Sequence, residues 1–174
     1  MQHDHANQCH CCSDGAFEIA VPQLTSSAGL CPQSGSKGKR VDGATVKAML
    51  AVSLTAVRDT PYFFCKDAGC PVVYFSEDGT QTFAKDQIRE RVYQKERDSD
   101  DVFICYCFRH TPGSIRAELT STSESTVIEA INAGIEAGQC ACDIRNPQGV
   151  CCLGNVSAVV KGIQQILEIE GNQE

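Results

Sequence analysis

Cys105-Tyr106-Cys107, Cys140-Ala141-Cys142 and the adjacent pair Cys151-Cys152 put six thiols into one stretch of chain. Cys-x-Cys spacing lets a single loop give two sulfurs to one metal centre. Isolated thiols need no such crowding, and an apolar core gains nothing from it. Thiolate is a soft ligand, and four of them suit an iron–sulfur cluster. A mononuclear zinc ion takes the same four-thiolate set and stays open as the alternative, with metal-free thiols behind both. A second grouping, Cys65-x4-Cys70, has the spacing of a zinc half-site; its alternative is a pair of small buried hydrophobes. The start of the chain holds a third set: His3, His5, Cys9, His10, Cys11 and Cys12. Imidazole there suits Cu(II), Zn(II) and Ni(II), while thiolate suits Cu(I) and Hg(II). An incidental His/Cys terminus is the plain alternative.

Composition limits what these thiols do. The chain has 174 residues and 12 Cys, enough for one domain or two small ones whose core gains from bound metal. Met1-Gln2-His3-Asp4-His5 opens no basic n-region and leads into no apolar h-region, so no secretory signal is read. No stretch approaches eighteen unbroken apolar residues, so no membrane insertion is expected. A cytoplasmic, reducing setting follows, where dense cysteines serve metals more often than disulfides. The formal charge of −7 and the scattered basic residues argue against nucleic acid.

Elements that would position the cysteines can be read between them, and together they make an α+β chain. Residues 1–30 read as a flexible His/Cys tail, with the linker-like Ser26-Ser27-Ala28-Gly29. Residues 31–98 read as a small β-rich lobe. Tyr62-Phe63-Phe64-Cys65 and Val72-Val73-Tyr74-Phe75 are strand material, and Thr82-Phe83 returns as a further strand. Gly35-Ser36-Lys37-Gly38-Lys39-Arg40 reads as a solvated turn. The charged run Arg97-Asp98-Ser99-Asp100-Asp101 marks the boundary to a helical lobe at 99–174. Thr111-Pro112 predicts an N-cap and a first-turn proline, and Ile115 and Leu119 share one face. Thr126-Val127-Ile128-Glu129 predicts a capping box, followed by an Ile128, Ile131, Ile135 stripe until Gly138. Asn155 is expected to cap a last helix with Val156, Val159, Val160, Ile163 and Leu167 inward. Every cysteine group of this lobe falls just before or just after a helix, and helix N-termini carry free N–H groups that favour negative sulfur.

Several segments together resemble the N-terminal domain of CopZ-type copper chaperones. Val102-Phe103-Ile104-Cys105-Tyr106-Cys107-Phe108 resembles that family's first cluster segment. Cys140-Ala141-Cys142, Arg145-Asn146-Pro147-Gln148-Gly149 and Cys151-Cys152-Leu153-Gly154 resemble its second. The run from Tyr62 through Cys70 to Phe75 is similar to its zinc segment. The resemblance spans about 31–167. It implies one [2Fe-2S] cluster and one zinc ion, with a helical part similar to bacterioferritin-associated ferredoxin. Carried over residue by residue, the cluster ligands are Cys105, Cys107, Cys142 and Cys152, leaving Cys140 and Cys151 spare. The zinc ligands are Cys31, Cys65 and Cys70. Where the family has Cys-Pro-x-Cys-Gly, this chain has Cys31-Pro32-Gln33-Ser34-Gly35, so the fourth ligand falls to Cys12, His10 or water.

The function implied is heavy-metal handling, copper first and mercury also open, with a one-electron role such as Cu(II) to Cu(I) reduction. The separate copper-carrier domain with a Met-x-Cys-x-x-Cys loop is missing from this sequence, so a partner carrier or the chain's own tail would hold the ion. A ferredoxin serving a redox partner, or a scaffold with structural metals, are the other readings. No Ser/His/Asp triad or phosphate loop stands out, and no enzymatic reaction is assigned.

Overall fold

The computed structural model describes residues 29–171. Four short strands form an antiparallel meander in the order β1 (Lys39–Val41), β2 (Tyr62–Phe64), β3 (Val72–Ser76) and β4 (Thr82–Ala84). Phe64 sits opposite Lys39 on one side and Tyr74 on the other, and Tyr74 pairs in turn with Phe83. The central strand β3 is buried along its whole length, because both faces of the sheet are covered. Tyr62, Phe64, Tyr74 and Phe83 face a core completed by Val46, Met49 and Leu50. On the opposite face, Phe63 and Phe75 stack at 5.7 Å and pack with Val72, Cys31, Cys65 and Cys70.

Two features here depart from the sequence reading. The basic run expected as a solvated turn ends in β1, where Lys39 and Arg40 are exposed and only Val41 is buried. The stretch read as β-rich also contains a helix the sequence reading did not name, α1 (Gly43–Met49), whose first turn is capped by Asp42 accepting from the Ala44 amide at 2.7 Å. One apolar face, Val46 with Met49 and Leu50, is enough to hold so short a helix to the sheet.

The remainder is helical: α2 (Pro112–Thr122), α3 (Val127–Glu136), the single turn α4 (Cys142–Arg145) and α5 (Leu153–Gly171). Thr111 caps α2 as expected, in a reciprocal capping box with Ser114. Thr126 makes no side-chain cap on α3; its amide and hydroxyl both donate to Glu118 instead. The inward face of α3 is Val127, Ile131 and Gly134, so Ile135 is left 38% exposed. Helix α5 starts two residues before the expected cap. Asn155 lies inside the first turn and donates to Gln148, while Cys152 stands at the entry. Val156, Val160 and Ile163 are its buried stripe, joined by Ile115, Leu119, Ile131, Cys105, Cys142 and Cys152 in one core. Among the described residues no helix is long and apolar enough to cross a membrane.

The sheet and helical regions grip one another through backbone carbonyls. Thr45 of α1 donates to the Asp143 carbonyl, and Tyr74 of β3 donates to the Pro147 carbonyl at 2.6 Å. Both acceptors lie between Cys142 and Cys152, Asp143 within α4 and Pro147 in the turn that follows it.

Candidate metal centres

Two groups of thiols converge, one beside the sheet and one among the helices. All nine cysteines among the described residues are free thiols. Neither compact thiol group includes a carboxylate oxygen or imidazole nitrogen from the described residues. A sulfur-only donor set is chemistry for soft or borderline ions.

In the first group, Cys31, Cys65 and Cys70 are all buried, and their sulfurs lie within 4.8 Å of one another. Cys65 extends β2, its amide donating to the Val73 carbonyl at 2.9 Å. The hairpin loop then turns on Asp67, whose carboxylate accepts from the Gly69 amide, and it returns through Cys70. Cys31 belongs to a separate tight turn, closed by Gly35 N–H on the Cys31 carbonyl and Cys31 N–H on the Ser36 carbonyl. Gly35 takes a positive φ of 70° there, which glycine adopts without strain. Cys31 and Cys70 sulfurs stand 3.9 Å apart. A tetrahedral zinc–thiolate site needs an edge of about 3.8 Å. Burial pushes the Cys31 thiol up, but hydrogen bonds from Ser34 and Gln33 bring it net below its ordinary range. Burial raises Cys70.

The second group draws on three loops. Residues 105–110 form a tight turn: the Ile104 and Cys105 amides both donate to the His110 carbonyl. Arg109 adopts a left-handed conformation and lies 4.2 Å over the Phe103 ring. Tyr106, between the two cysteines, points away and is pinned at its hydroxyl, which accepts from the Tyr93 amide and donates to the Arg91 carbonyl. Phe108 drives its ring against Gly134 of α3, where any Cβ would collide with it. From the opposite side, buried Asn146 folds the turn after α4 by donating to the Val150 carbonyl and accepting from the Gln148 amide.

The loops meet at sulfur. Cys107 lies 3.7 Å from Cys142 and 4.0 Å from Cys140, which is itself 3.4 Å from Cys142. Cys152 is in hydrogen-bond reach of both Cys105 and Cys142. All four sequence-predicted cluster positions therefore come together. So does Cys140, which the sequence left spare; its Cys-x-Cys partnership with Cys142 was the signal for it. Cys151 is exposed and stays outside. The thiols share protons unequally. Hydrogen bonding with Cys152 brings Cys142 down to about 5 and Cys105 to about 7, while Cys152, which has a single proton to offer either one, is raised. Burial pushes Cys107 up to about 12. A bound cation would displace the remaining protons, so uptake releases acid. Backbone amides also aim at sulfur: Ala141 N–H donates to Cys107 at 3.3 Å, and Phe108 and Cys107 amides serve Cys105.

His3, His5, Cys9, His10, Cys11 and Cys12 lie outside the described residues.

An antiparallel four-stranded sheet with a three-thiol corner, joined to helices around a five-thiol cup, defines an α+β protein built to bind metal. Residues 28–89 match the CopZ family model described as a zinc binding domain. Copper chaperone CopZ of Archaeoglobus fulgidus is 32% identical over 122 residues, covering 70% of this chain and 57% of that protein. The chain thus spans little more than half the length of this relative. The X-ray structure of the Archaeoglobus fulgidus CopZ N-terminal domain superposes with a TM-score of 0.62 at 29% identity, covering 74% of this chain and 95% of that one. Residues 28–89 are thus similar to a CopZ-type zinc binding domain, and the α+β fold is like that of the CopZ N-terminal domain.

Proposed function

We propose that this chain handles a thiophilic metal ion, most plainly copper, with two resident centres: zinc at Cys31, Cys65 and Cys70, and a [2Fe-2S] cluster at Cys105, Cys107, Cys142 and Cys152. The observation that carries it is the meeting of the second set of thiols, from three separate loops, at one buried point with amide donors directed at them. The donor set fits: it is all sulfur, and four of its members lie on fixed loops with Cys105, Cys142 and Cys152 buried. When bound there, such a cluster supplies one-electron redox chemistry, the stoichiometry of Cu(II) to Cu(I) conversion.

The chain's own residues do the positioning. Asn146 and Tyr74 hold the turn that presents Cys142 and Cys152, and Tyr106 anchors the turn that presents Cys105 and Cys107. Amide donors favour the more negative, reduced state and so raise the potential. Similarity to a copper chaperone over 70% of the chain supports copper as cargo. Cys9, Cys11 and Cys12, with His3, His5 and His10, supply ligands for both copper states, or a partner carrier does.

Anaerobically purified full chain, analysed for iron, sulfide and zinc with its visible spectrum, tests the reading. One zinc and two irons with two sulfides per chain are expected, together with reoxidation of the dithionite-reduced protein by Cu(II) and protein-bound Cu(I). Zinc in both places and no sulfide would remove the redox role. A reducible cluster that ignores copper would leave an electron-transfer protein.

A further inference from the structure

The three-thiol corner has an oxygen at its fourth position. Ser34 Oγ lies 3.5 Å from Cys65 Sγ and also bonds the Cys31 sulfur. With zinc–oxygen and zinc–sulfur bonds of ordinary length, a tetrahedral site has an oxygen-to-sulfur edge of about 3.5 Å. Its sulfur-to-sulfur edge of about 3.8 Å is nearly the 3.9 Å between Cys31 and Cys70. Ser34 Oγ therefore stands beside two of the three sulfurs, at the Cys65 separation a fourth ligand atom would have. It is also held there, since the Ser36 amide donates to the same oxygen at 3.3 Å. Cys31, Cys65 and Cys70 are buried while Ser34 is only half-buried, so this corner is the one that opens to solvent.

We propose that Ser34 Oγ is the fourth ligand of this site and that its position is exchangeable, taking a thiolate from an incoming small thiol or a metal-donor protein. The inference rests on the zinc reading above and adds the coordination and its lability. A hydroxyl oxygen is a weak, neutral donor to a thiophilic ion. Three thiolates leave bound Zn(II) one unit negative, against two units for a four-thiolate site, so a further thiolate is less repelled. On exchange a zinc–sulfur bond forms and the zinc–oxygen bond breaks. The serine departs as the neutral hydroxyl, and the incoming thiol gives its proton to solvent. No oxidation is involved.

Full-length protein loaded with Co(II) in place of zinc reads this directly, through the thiolate-to-cobalt absorption measured against the zinc-loaded protein. Cys65→Ser serves as the blank for this site. Wild type is expected to show three-thiolate intensity, and Ser34→Cys to raise it by about a third. 2-Mercaptoethanol should raise wild type to the same level and leave Ser34→Cys unchanged. Ser34→Ala keeps the three-thiolate intensity but releases zinc to a chelator about tenfold faster than wild type. Four-thiolate intensity in wild type, unchanged in Ser34→Cys, would give the position to a tail cysteine and overturn the proposal. Equal zinc release from wild type and Ser34→Ala would overturn Ser34 as ligand while leaving the zinc site standing. No band removed by Cys65→Ser would sink the zinc reading and this proposal with it.

Discussion

The corner beside the sheet and the cup among the helices solve the same problem with opposite margins. Beside the sheet, two loops deliver three sulfurs and one hydroxyl, all fixed by strand pairing and tight turns. Among the helices, three loops deliver five sulfurs, and Cys140 touches both Cys107 and Cys142 without being needed for a four-sulfur site. Among the described residues, the lean site has no replacement for a lost thiol. The crowded one has a replacement within reach of some positions and not others. Local geometry, rather than cysteine count, decides which substitutions are survivable.

The largest effects should follow that difference. Cys105→Ser is expected to abolish iron content and colour while zinc stays, because the sulfurs beside it, Cys152 and Cys142, are themselves proposed cluster ligands. Cys107→Ser should keep part of its iron, since Cys140 sits 4.0 Å from the lost sulfur, and Cys107→Ser with Cys140→Ser together should lose it all. Cys140→Ser and Cys151→Ser alone should retain iron. Metal analysis of the set decides; equal loss in Cys105→Ser and Cys107→Ser would break the contrast. Gly134→Ala comes next. Its methyl group meets the Phe108 ring, which must shift and carry the adjacent Cys107 with it. Overpacking of this kind costs about 1–3 kcal/mol, seen as a lower unfolding midpoint and faster cluster loss without zinc loss.

Tyr74→Phe tests whether the two regions are as separate as their ligands. It removes the donor to the buried Pro147 carbonyl and costs about 1 kcal/mol or somewhat more. Its mark should be a shorter-lived cluster, although the mutation is in the sheet. The smallest effect is expected at Glu118, whose carboxyl is held below the usual range, first by the Thr126 amide and then by its hydroxyl and Ser125. The folded chain gives up this proton at lower pH than the unfolded chain. The contribution is therefore full above the ordinary carboxylate range and fades as pH falls through the folded value. Glu118→Gln should flatten the acid side of the stability profile slightly and leave both metals in place.

Much of this was legible because cysteine spacing is a local signal. The clustered thiols, the Thr111 cap and the strands around Phe64 and Tyr74 could all be placed from neighbouring residues. Helix α1 escaped notice because it is short and surrounded by strand-like segments; Asp42 followed by Val46, Met49 and Leu50 was the available clue. Strand β1 was masked by Lys39 and Arg40, which face solvent on an edge. Asn155 looked like a cap because Cys152, which stands at the helix entry, has little capping signature. The links between regions were illegible for a different reason. Their acceptors are the carbonyls of Asp143 and Pro147, and every residue has a carbonyl.

With both proposed centres filled, those two carbonyl contacts would link the occupancy of one to that of the other. A sheet region tightened by zinc would grip the segment carrying Cys142 and Cys152 more firmly, and a filled cup would return the same free energy to the zinc corner. Starving the protein of zinc would then shorten the life of its cluster. During biogenesis, zinc loading first would then leave the cup already shaped for cluster delivery, with the contact between Tyr74 and Pro147 carrying the bias.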